Sequence, residues 1–556
     1  MNSRSALRAL GKRLKPYTLS LVMSIVLSVV YVVFSLYVPK MVGKATDIML
    51  GAGHVNMERV VEIAITIAVM TVVAALAWWV MGLFNNHITY SLIRDIRQET
   101  FAKIQVLPLK RLDKHSKGEM VSRIITDVDQ LADGLLMGFS QFFTGVFTIM
   151  LTLVFMLMIN VKVALVVILL TPLSIFIARF VASHTYDMFK KQSETRAEQT
   201  AIIDETIGGA KIVKSFSREN HMLEQFDETN ERLEKCYQKA TFYSSLTNPS
   251  TRFVNNLIYA GVAVCGGLVA VSTGGITVGA LAAILTYANQ YMKPFNEISG
   301  VITELQNALA CASRVFELID NEQEIDESGK TELTNVQGDV DVSGLVFGYT
   351  KEKILLKDIN IHVDKGQTVA IIGETGGGKT TFINLLMRFY EINGGTIKID
   401  GKNIQDVTRK SLRQNFGMVL QDTWVRNATI RDNIKFSKPD ASDDEMIEAA
   451  KACHAHNFIM RLPKGYDTVI KEGGENLSAG QKQLICITRV MLNLPPMLIL
   501  DEATSSIDTR TEMRIQRAFE KMMNGRTTFI VAHRLSTIEN ADLIMEMRGG
   551  TLVQQK

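Results

Sequence analysis

Cysteine is scarce in this chain, and an excess of either charge is scarcer. The five cysteines in 556 residues (Cys236, Cys265, Cys311, Cys453 and Cys486) are scattered, with no CxxC and no pair at a spacing typical of zinc. That excludes a disulfide scaffold and a zinc knuckle, and it reads as reduced thiols in parts that face a reducing cytosol. Lys and Arg number 60 against 57 Asp and Glu. So small an excess gives no reason to expect nucleic acid as a partner. Charge is missing altogether from residues 18–38, 63–84, 135–159 and 163–178, runs of 21, 22, 25 and 16, and from all 40 residues of 253–292.

These gaps are where the hydrophobic residues, 47% of the chain, are concentrated. One bilayer crossing needs about 20 apolar residues, so 253–292 is too long for one span and reads as two, joined at "STGGITVG". Six transmembrane helices result. Five apolar runs without an amphipathic face cannot be buried in a water-soluble core. Arg179 closes the short fourth run and can snorkel to an interface. No cleavable signal peptide is expected, because the first run lacks a small-residue cleavage site. Arg4, Arg8, Lys12, Arg13 and Lys15 precede it, which places the N-terminus in the cytosol, and an even number of spans returns the chain there. The long polar stretches after the second and fourth spans predict helices that project beyond the bilayer on the cytosolic side.

The spans and their loops make a transmembrane domain over 1–316. A charged segment poor in large apolar residues, 317–335, reads as a linker. From 336 to 556, short β-type runs ("DVDVSGLVFGY", "GGTIKIDG", "TTFIVAH") alternate with helical segments, as in an α/β domain.

Within that domain, "AIIGETGGGKTTFINLL" carries the P-loop pattern, a short apolar strand, a glycine-rich turn and a helix. Gly373, Glu374, Thr375, Gly376, Gly377 and Gly378 supply backbone N–H groups for phosphate oxygens. Lys379 reaches the terminal phosphates, Thr380 can ligate Mg2+, and Thr381 follows in the first turn. Downstream, "MLILDEATSSID" is a strand that delivers Asp501 to its end for magnesium, and the next carboxylate, Glu502, is placed to polarise an attacking water. In "ENLSAGQKQLICITRVML", Ser478 is positioned to cap a helix whose free donors point outward.

"LSAGQ" resembles the signature of the ABC ATPase family, Leu-Ser-Gly-Gly-Gln, with Ala479 at the third position. The resemblance implies contacts to nucleotide from Ser478, Gly480 and Gln481. It further implies that Tyr349 stacks on adenine, Gln421 senses magnesium and the γ-phosphate, Glu472 and Gly473 face the coupling helices, Ser506 to Asp508 cross a dimer interface, and His533 contacts the γ-phosphate. The front half is similar to the family's exporters. "LPLKRLDKHSKGEMVSRIITDVDQL" and "IDETIGGAKIVKSFSRE" look like the cytosolic loops whose transverse helices dock on the ATPase domains.

The implied architecture is an all-α six-helix membrane domain fused to a cytosolic α/β P-loop ATPase domain, the ABC exporter fold, in the plasma (inner) membrane. One chain has one ATPase domain, and the family's ATP sites form between two, so a second half-transporter is implied, with a heterodimer favoured over a homodimer. The expected activity is ATP-driven, multidrug-type export of hydrophobic or amphiphilic molecules. A lipid flippase or a peptide or siderophore exporter stays open. Glu502 argues against an ATP-gated regulator, the six spans against a soluble ATPase acting on nucleic acid, and the exporter order of the parts against an importer. Trp78, Trp79, Phe142, Phe143, Asn255, Asn256, Tyr259, Asn289 and Gln290 suit either cargo contact, or interface anchoring and interhelical hydrogen bonding.

Overall fold

The computed structural model describes the chain except residues 1–2, 50–54, 114, 274, 322–323, 325–326, 328, 351–352, 375, 422, 502–506, 532–537 and 556. The side chains of 3–4, 173–175, 177–187, 247–248, 251, 273, 296, 298–299 and 472 are likewise outside the description. The chain packs as two units, Met1–Gln105 with Ser116–Asn321, and Val106–His115 with Glu322–Lys556.

The first unit is built on six long helical paths. They are Thr18–Met49, Met57–Gln105, a composite third path, Val161–Gly208, Glu219–Thr273 and Val278–Ile319. The third path runs through Lys117–Ile124, Thr126–Met137, a π-type turn at Gly138–Phe142, and Phe143–Ile159. Among the described residues, Ser5–Met49, Met57–Gln105, Lys117–Ile159 and Arg252–Ser272 are long and apolar enough to cross a membrane, and Val161–Pro172 is a shorter apolar helix. The break anticipated at "STGGITVG" falls between Thr273 and Val278, and the last helix continues to Ile319. Met57–Gln105 has 49 residues. At 1.5 Å per residue it is about 70 Å long, more than twice the hydrocarbon thickness.

Apolar contact drives helix association weakly in lipid, so polar contacts carry much of the specificity. The Asp47 carboxylate accepts from the Thr277 hydroxyl and the Gly279 amide, both at 2.7 Å, tying the first long helix to the last. Ser24 donates to Asn85 at 2.5 Å and the Asn85 amide donates to Ser140 at 3.2 Å, joining three paths through one buried amide. Arg314 donates twice to Asp127, at 2.8 and 2.5 Å.

The second unit contains two sheets. Strands are β1 (Val340–Phe347), β2 (Leu356–Val363), β3 (Thr368–Gly373), β4 (Gly394–Ile399), β5 (Lys402–Asn403), β6 (Phe416–Val419), β7 (Met497–Asp501), β8 (Thr527–Val531), β9 (Leu543–Arg548) and β10 (Thr551–Gln554). The smaller sheet has the order β2-β1-β4-β5 and is antiparallel, the larger β10-β9-β3-β8-β7-β6. In the larger sheet all pairings are parallel except β10 with β9. Alternate residues of its strands enter two different cores. Val369, Ile371, Met497, Ile499, Phe529 and Val531 lie in one, and Ala370, Leu498, Leu500 and Ile530 in the other. Burial on both faces explains why "VAII", "MLIL" and "TFIV" read as unbroken apolar runs.

Residues of the segment read as a linker are held on this unit by ion pairs. Arg409, 6% exposed, reaches Glu327 at 2.7 Å and Glu391 at 2.6 Å. Arg388, 3% exposed, reaches Glu391 at 3.0 Å and donates to the carbonyls of Ile404 and Val407. Removing Arg409 takes a charge-assisted partner from Glu327 and Glu391, which stay partly exposed and beside Arg388. Arg409→Met is therefore expected to destabilise the unit by about 1–3 kcal/mol. The check is a clear fall in the temperature of the unit's unfolding transition, and an unchanged transition would contradict the clamp.

Candidate functional site

A cavity of about 310 Å³ lies at the carboxyl ends of β3, β7 and β8, lined by Gly376, Gly378, Lys379, Thr380, Thr381, Gln421, Asp501 and Val531. Open α/β sheets bind ligands outside the carboxyl ends of their strands. β3 ends at Gly373 and hands the chain through the glycine loop to the helix Lys379–Leu386. Gly378 caps that helix with φ of 107°, a left-handed conformation that disfavours a side chain, and a Cβ there would come within 2.8 Å of Leu356 Cδ2. Lys379 is 7% exposed, and its Nζ donates to the carbonyls of Gly373 at 2.7 Å and Glu374 at 2.9 Å. The ammonium is thus folded into the mouth of the loop, at the helix N-terminus where free backbone donors and the helix dipole both favour an anion.

Thr380, Gln421 and Asp501 offer a hydroxyl, an amide carbonyl and a carboxylate to the same cavity. All are hard oxygen donors of the kind magnesium takes while it keeps several waters and phosphate oxygens. The donors present therefore fit a nucleotide phosphate chain with its magnesium. Glu502, His533, Thr375 and Ser506 lie outside the described residues, as does the side chain of Glu472.

Tyr349 is 42% exposed, and its hydroxyl lies 3.0 Å from that of Thr381 on the P-loop helix. Its ring meets Phe347 edge to face at 5.1 Å and Tyr390 at 5.2 Å, which leaves it positioned yet still accessible for stacking.

The signature segment is assembled separately. Ser478 and Gln481 form a reciprocal capping box at the start of the helix Ala479–Leu492. The Ser478 hydroxyl accepts from the Gln481 amide at 3.3 Å, and Gln481 Oε1 accepts from the Ser478 amide at 2.9 Å. Asp508 caps the next helix, Thr509–Met523, accepting from the Thr511 amide at 2.9 Å. That bond holds its carboxyl below the ordinary value. Its capping contribution is therefore present above the unfolded-state pKa and fades as pH falls through the folded one. Ser478, Gly480, Gln481 and Asp508 are not among the residues that line the P-loop cavity. One chain thus brings P-loop, Gln421 and Asp501 together and keeps its signature apart.

Beyond the return bond of the capping box, sequence reasoning missed two features. One is the Asp508 cap, for which a carboxylate before "TRTE" was the available signal. The other is the contact of Tyr390 with Asp113, which no sequence pattern announces.

The family model for the ABC transporter transmembrane region matches residues 21–295, and that for the ABC transporter matches 356–505. A fatty acid ABC transporter ATP-binding/permease protein of Mycobacterium bovis is 38% identical, covering 91% of this chain and 79% of its own length. A Bacillus subtilis protein named, provisionally, for multidrug export as an ATP-binding/permease protein is 35% identical over 97% of this chain and 94% of its own. Among solved structures, a bacterial Atm1-family ABC exporter with ATP bound superposes with a TM-score of 0.78 at 28% identity, covering 97% of this chain and 94% of that one.

A methyl group on Gly480 would come within 2.5 Å of Thr511 Cγ2 and 3.1 Å of Ile507 Cγ2. Gly480→Ala should therefore overpack the contact between the signature helix and its neighbour, at a cost of about 1–3 kcal/mol. Adding Thr511→Ser, which removes the clashing methyl, should restore the melting temperature. No recovery in the double variant would place the penalty elsewhere.

Proposed function

Because this chain belongs to the ABC transporter family, with an exporter-type membrane region fused to an ATP-binding domain, we propose that it exports amphiphilic or hydrophobic small molecules by alternating access. In this reading, nucleotide-binding domains of two half-transporters close head to tail on ATP. The protein is an integral membrane ATPase whose hydrolysis is coupled to transport and whose ATPase domain is cytosolic.

The observation that carries the reading is the single cavity that joins Lys379, Thr380, Gln421 and Asp501 at the carboxyl ends of the parallel strands. Lys379 and the loop amides bind and orient the β- and γ-phosphates. Tyr349 stacks on the adenine. Thr380, Gln421 and Asp501 hold magnesium, which neutralises phosphate charge when bound. Glu502 accepts a proton from the attacking water, and His533 and Gln421 sense the terminal phosphate. Ser478, Gly480, Gln481 and Asp508 act on the nucleotide held by the partner's P-loop, which agrees with their separation from this chain's own cavity.

A second cavity, of about 270 Å³, lies within the membrane unit and is lined in part by Tyr31, Ser35, Ser140, Thr144, Gln290 and Lys293. Gln290 Oε1 is buried there without a hydrogen-bond partner among the described residues. These polar groups share the cavity with Val32, Leu36 and Trp78, the mixed lining that an amphiphile calls for. That supports amphiphile export and keeps a lipid translocase as the nearest alternative, in line with the fatty acid relative.

Lys379→Ala should weaken ATP binding about tenfold or more, the worth of a charge-assisted contact. Native affinity in that variant would sink the phosphate cradle. Glu502→Gln should leave binding intact and lower turnover by about 10²–10⁴, the span of general-base catalysis. The decisive assay is ATPase activity of the chain purified alone in nanodiscs, scanned against drugs and lipids. Activity stimulated by one class identifies cargo and a homodimer. A chain inert until a second half-transporter is added identifies a heterodimer.

A further inference from the structure

The segment that follows the P-loop helix places a tyrosine between the base platform and the first cytosolic loop. Tyr390 is 7% exposed. Its ring packs against Tyr349 at 5.2 Å and 90°, and against Phe347 at 5.9 Å and 60°. Its hydroxyl donates to the carboxylate of Asp113. Asp113 closes the short helix Leu109–Leu112, its amide donating to the Leu109 carbonyl at 2.9 Å, and Leu109 packs on the same core as Tyr390.

We propose that Tyr390 is a positioning residue that couples occupancy of the base platform at Tyr349 to the order of the first cytosolic loop, through its bond to Asp113. This rests on the reading of Tyr349 as the adenine platform. Three rings in mutual contact allow no one of them to turn alone. Tyr349 is also tied through Thr381 to the P-loop helix, so a base that covers its exposed face and phosphates that order the loop bear on the same ring. Apart from the contact with Thr381, the polar outlet of the trio is the phenol of Tyr390 donating to the Asp113 carboxylate. Burial and the neighbouring Asp113 carboxylate raise the Tyr390 pKa above that of an ordinary phenol, so it stays a donor throughout the physiological pH range. A phenylalanine here keeps the packing and loses the outlet.

The test is hydrogen exchange on the full chain in nanodiscs, with and without a non-hydrolysable ATP analogue, reading the amides of residues 106–115. The analogue should slow their exchange about fivefold or more in the native chain, as local opening is suppressed. Tyr390→Phe should reduce that slowing to under about twofold while the KM for ATP moves by less than about twofold. Asp113→Asn should behave alike, and the double variant should be no worse than either single one. Full slowing in Tyr390→Phe overturns the proposal, as does a KM that rises as far as in Tyr349→Ala, since Tyr390 would then only prop up the base site. An unchanged KM in Tyr349→Ala removes the base platform itself and the nucleotide end of the relay with it. A raised KM there, with slowing retained in Tyr390→Phe, overturns the relay alone.

Discussion

A parallel strand is usable only where both of its faces are covered, and the ATP-binding unit is organised around that constraint. β3, β7 and β8 sit inside the larger sheet and send alternate side chains into separate cores. Each buried Val, Ile or Phe contributes about 1.5–3 kcal/mol relative to exposure, so the strands are firmly fixed in register. At their carboxyl ends the sheet opens into a cavity. Because β3, β8 and β7 are consecutive neighbours, the P-loop, Val531 and Asp501 emerge side by side there. The chemistry needs a cation, free amides and a carboxylate within one phosphate chain of each other. The sheet supplies that spacing before any ligand arrives.

This is also why so much of the site was legible in the sequence. A short apolar run that ends in glycines or in "DE" announces a buried strand and its carboxyl end together, so Gly376, Gly378 to Thr381 and Asp501, which line the cavity, were within reach of the sequence. The Ser478 cap is local and was equally readable, whereas the return bond to Gln481 was not anticipated. The six long helical paths follow from the uncharged runs 18–38, 63–84, 135–159, 163–178 and 253–292, although the fourth is short and its helix becomes polar midway. Contacts between segments far apart in sequence were not legible. Nothing in "DKH" or "RFYE" says that Asp113 and Tyr390 meet, 277 positions apart. Nor does "ESGK" say that Glu327 will hold Arg409. Such pairs depend on where two folded surfaces come to rest, and a one-dimensional pattern records only what each surface is made of.

The glycine loop and the signature illustrate two uses of the same residue. Gly378 is required by backbone conformation, at the point where the chain turns into a helix whose amides face the cavity. Gly480 is in ordinary helix, and what it provides is room, letting one helix lie against Ile507, just before the next helix, and Thr511 in its first turn. The substitution Ala479 one residue earlier is harmless by the same logic, because that position is exposed at the helix start and alanine is the best helix former. The departure from the family pattern thus falls where the structure tolerates it.

The separation of the signature from the P-loop within one chain has an energetic consequence. In a head-to-tail dimer, closure must be weakly unfavourable without nucleotide and strongly favourable with it. Moving a two-state equilibrium from 1:99 to 99:1 takes about 5.5 kcal/mol of differential binding. Two equivalent sites share that as roughly 2.7 kcal/mol each, within the span of one or two hydrogen bonds to a charged group. In the dimer proposed above, a capped helix start presenting the Ser478 hydroxyl and free amides to a partner's γ-phosphate would be enough to supply it. Loss of that single phosphate returns the equilibrium to the open side, so no larger rearrangement within the ATP-binding unit is needed. A rigid sheet with donors at its edge suits a switch whose two states differ in what the donors touch.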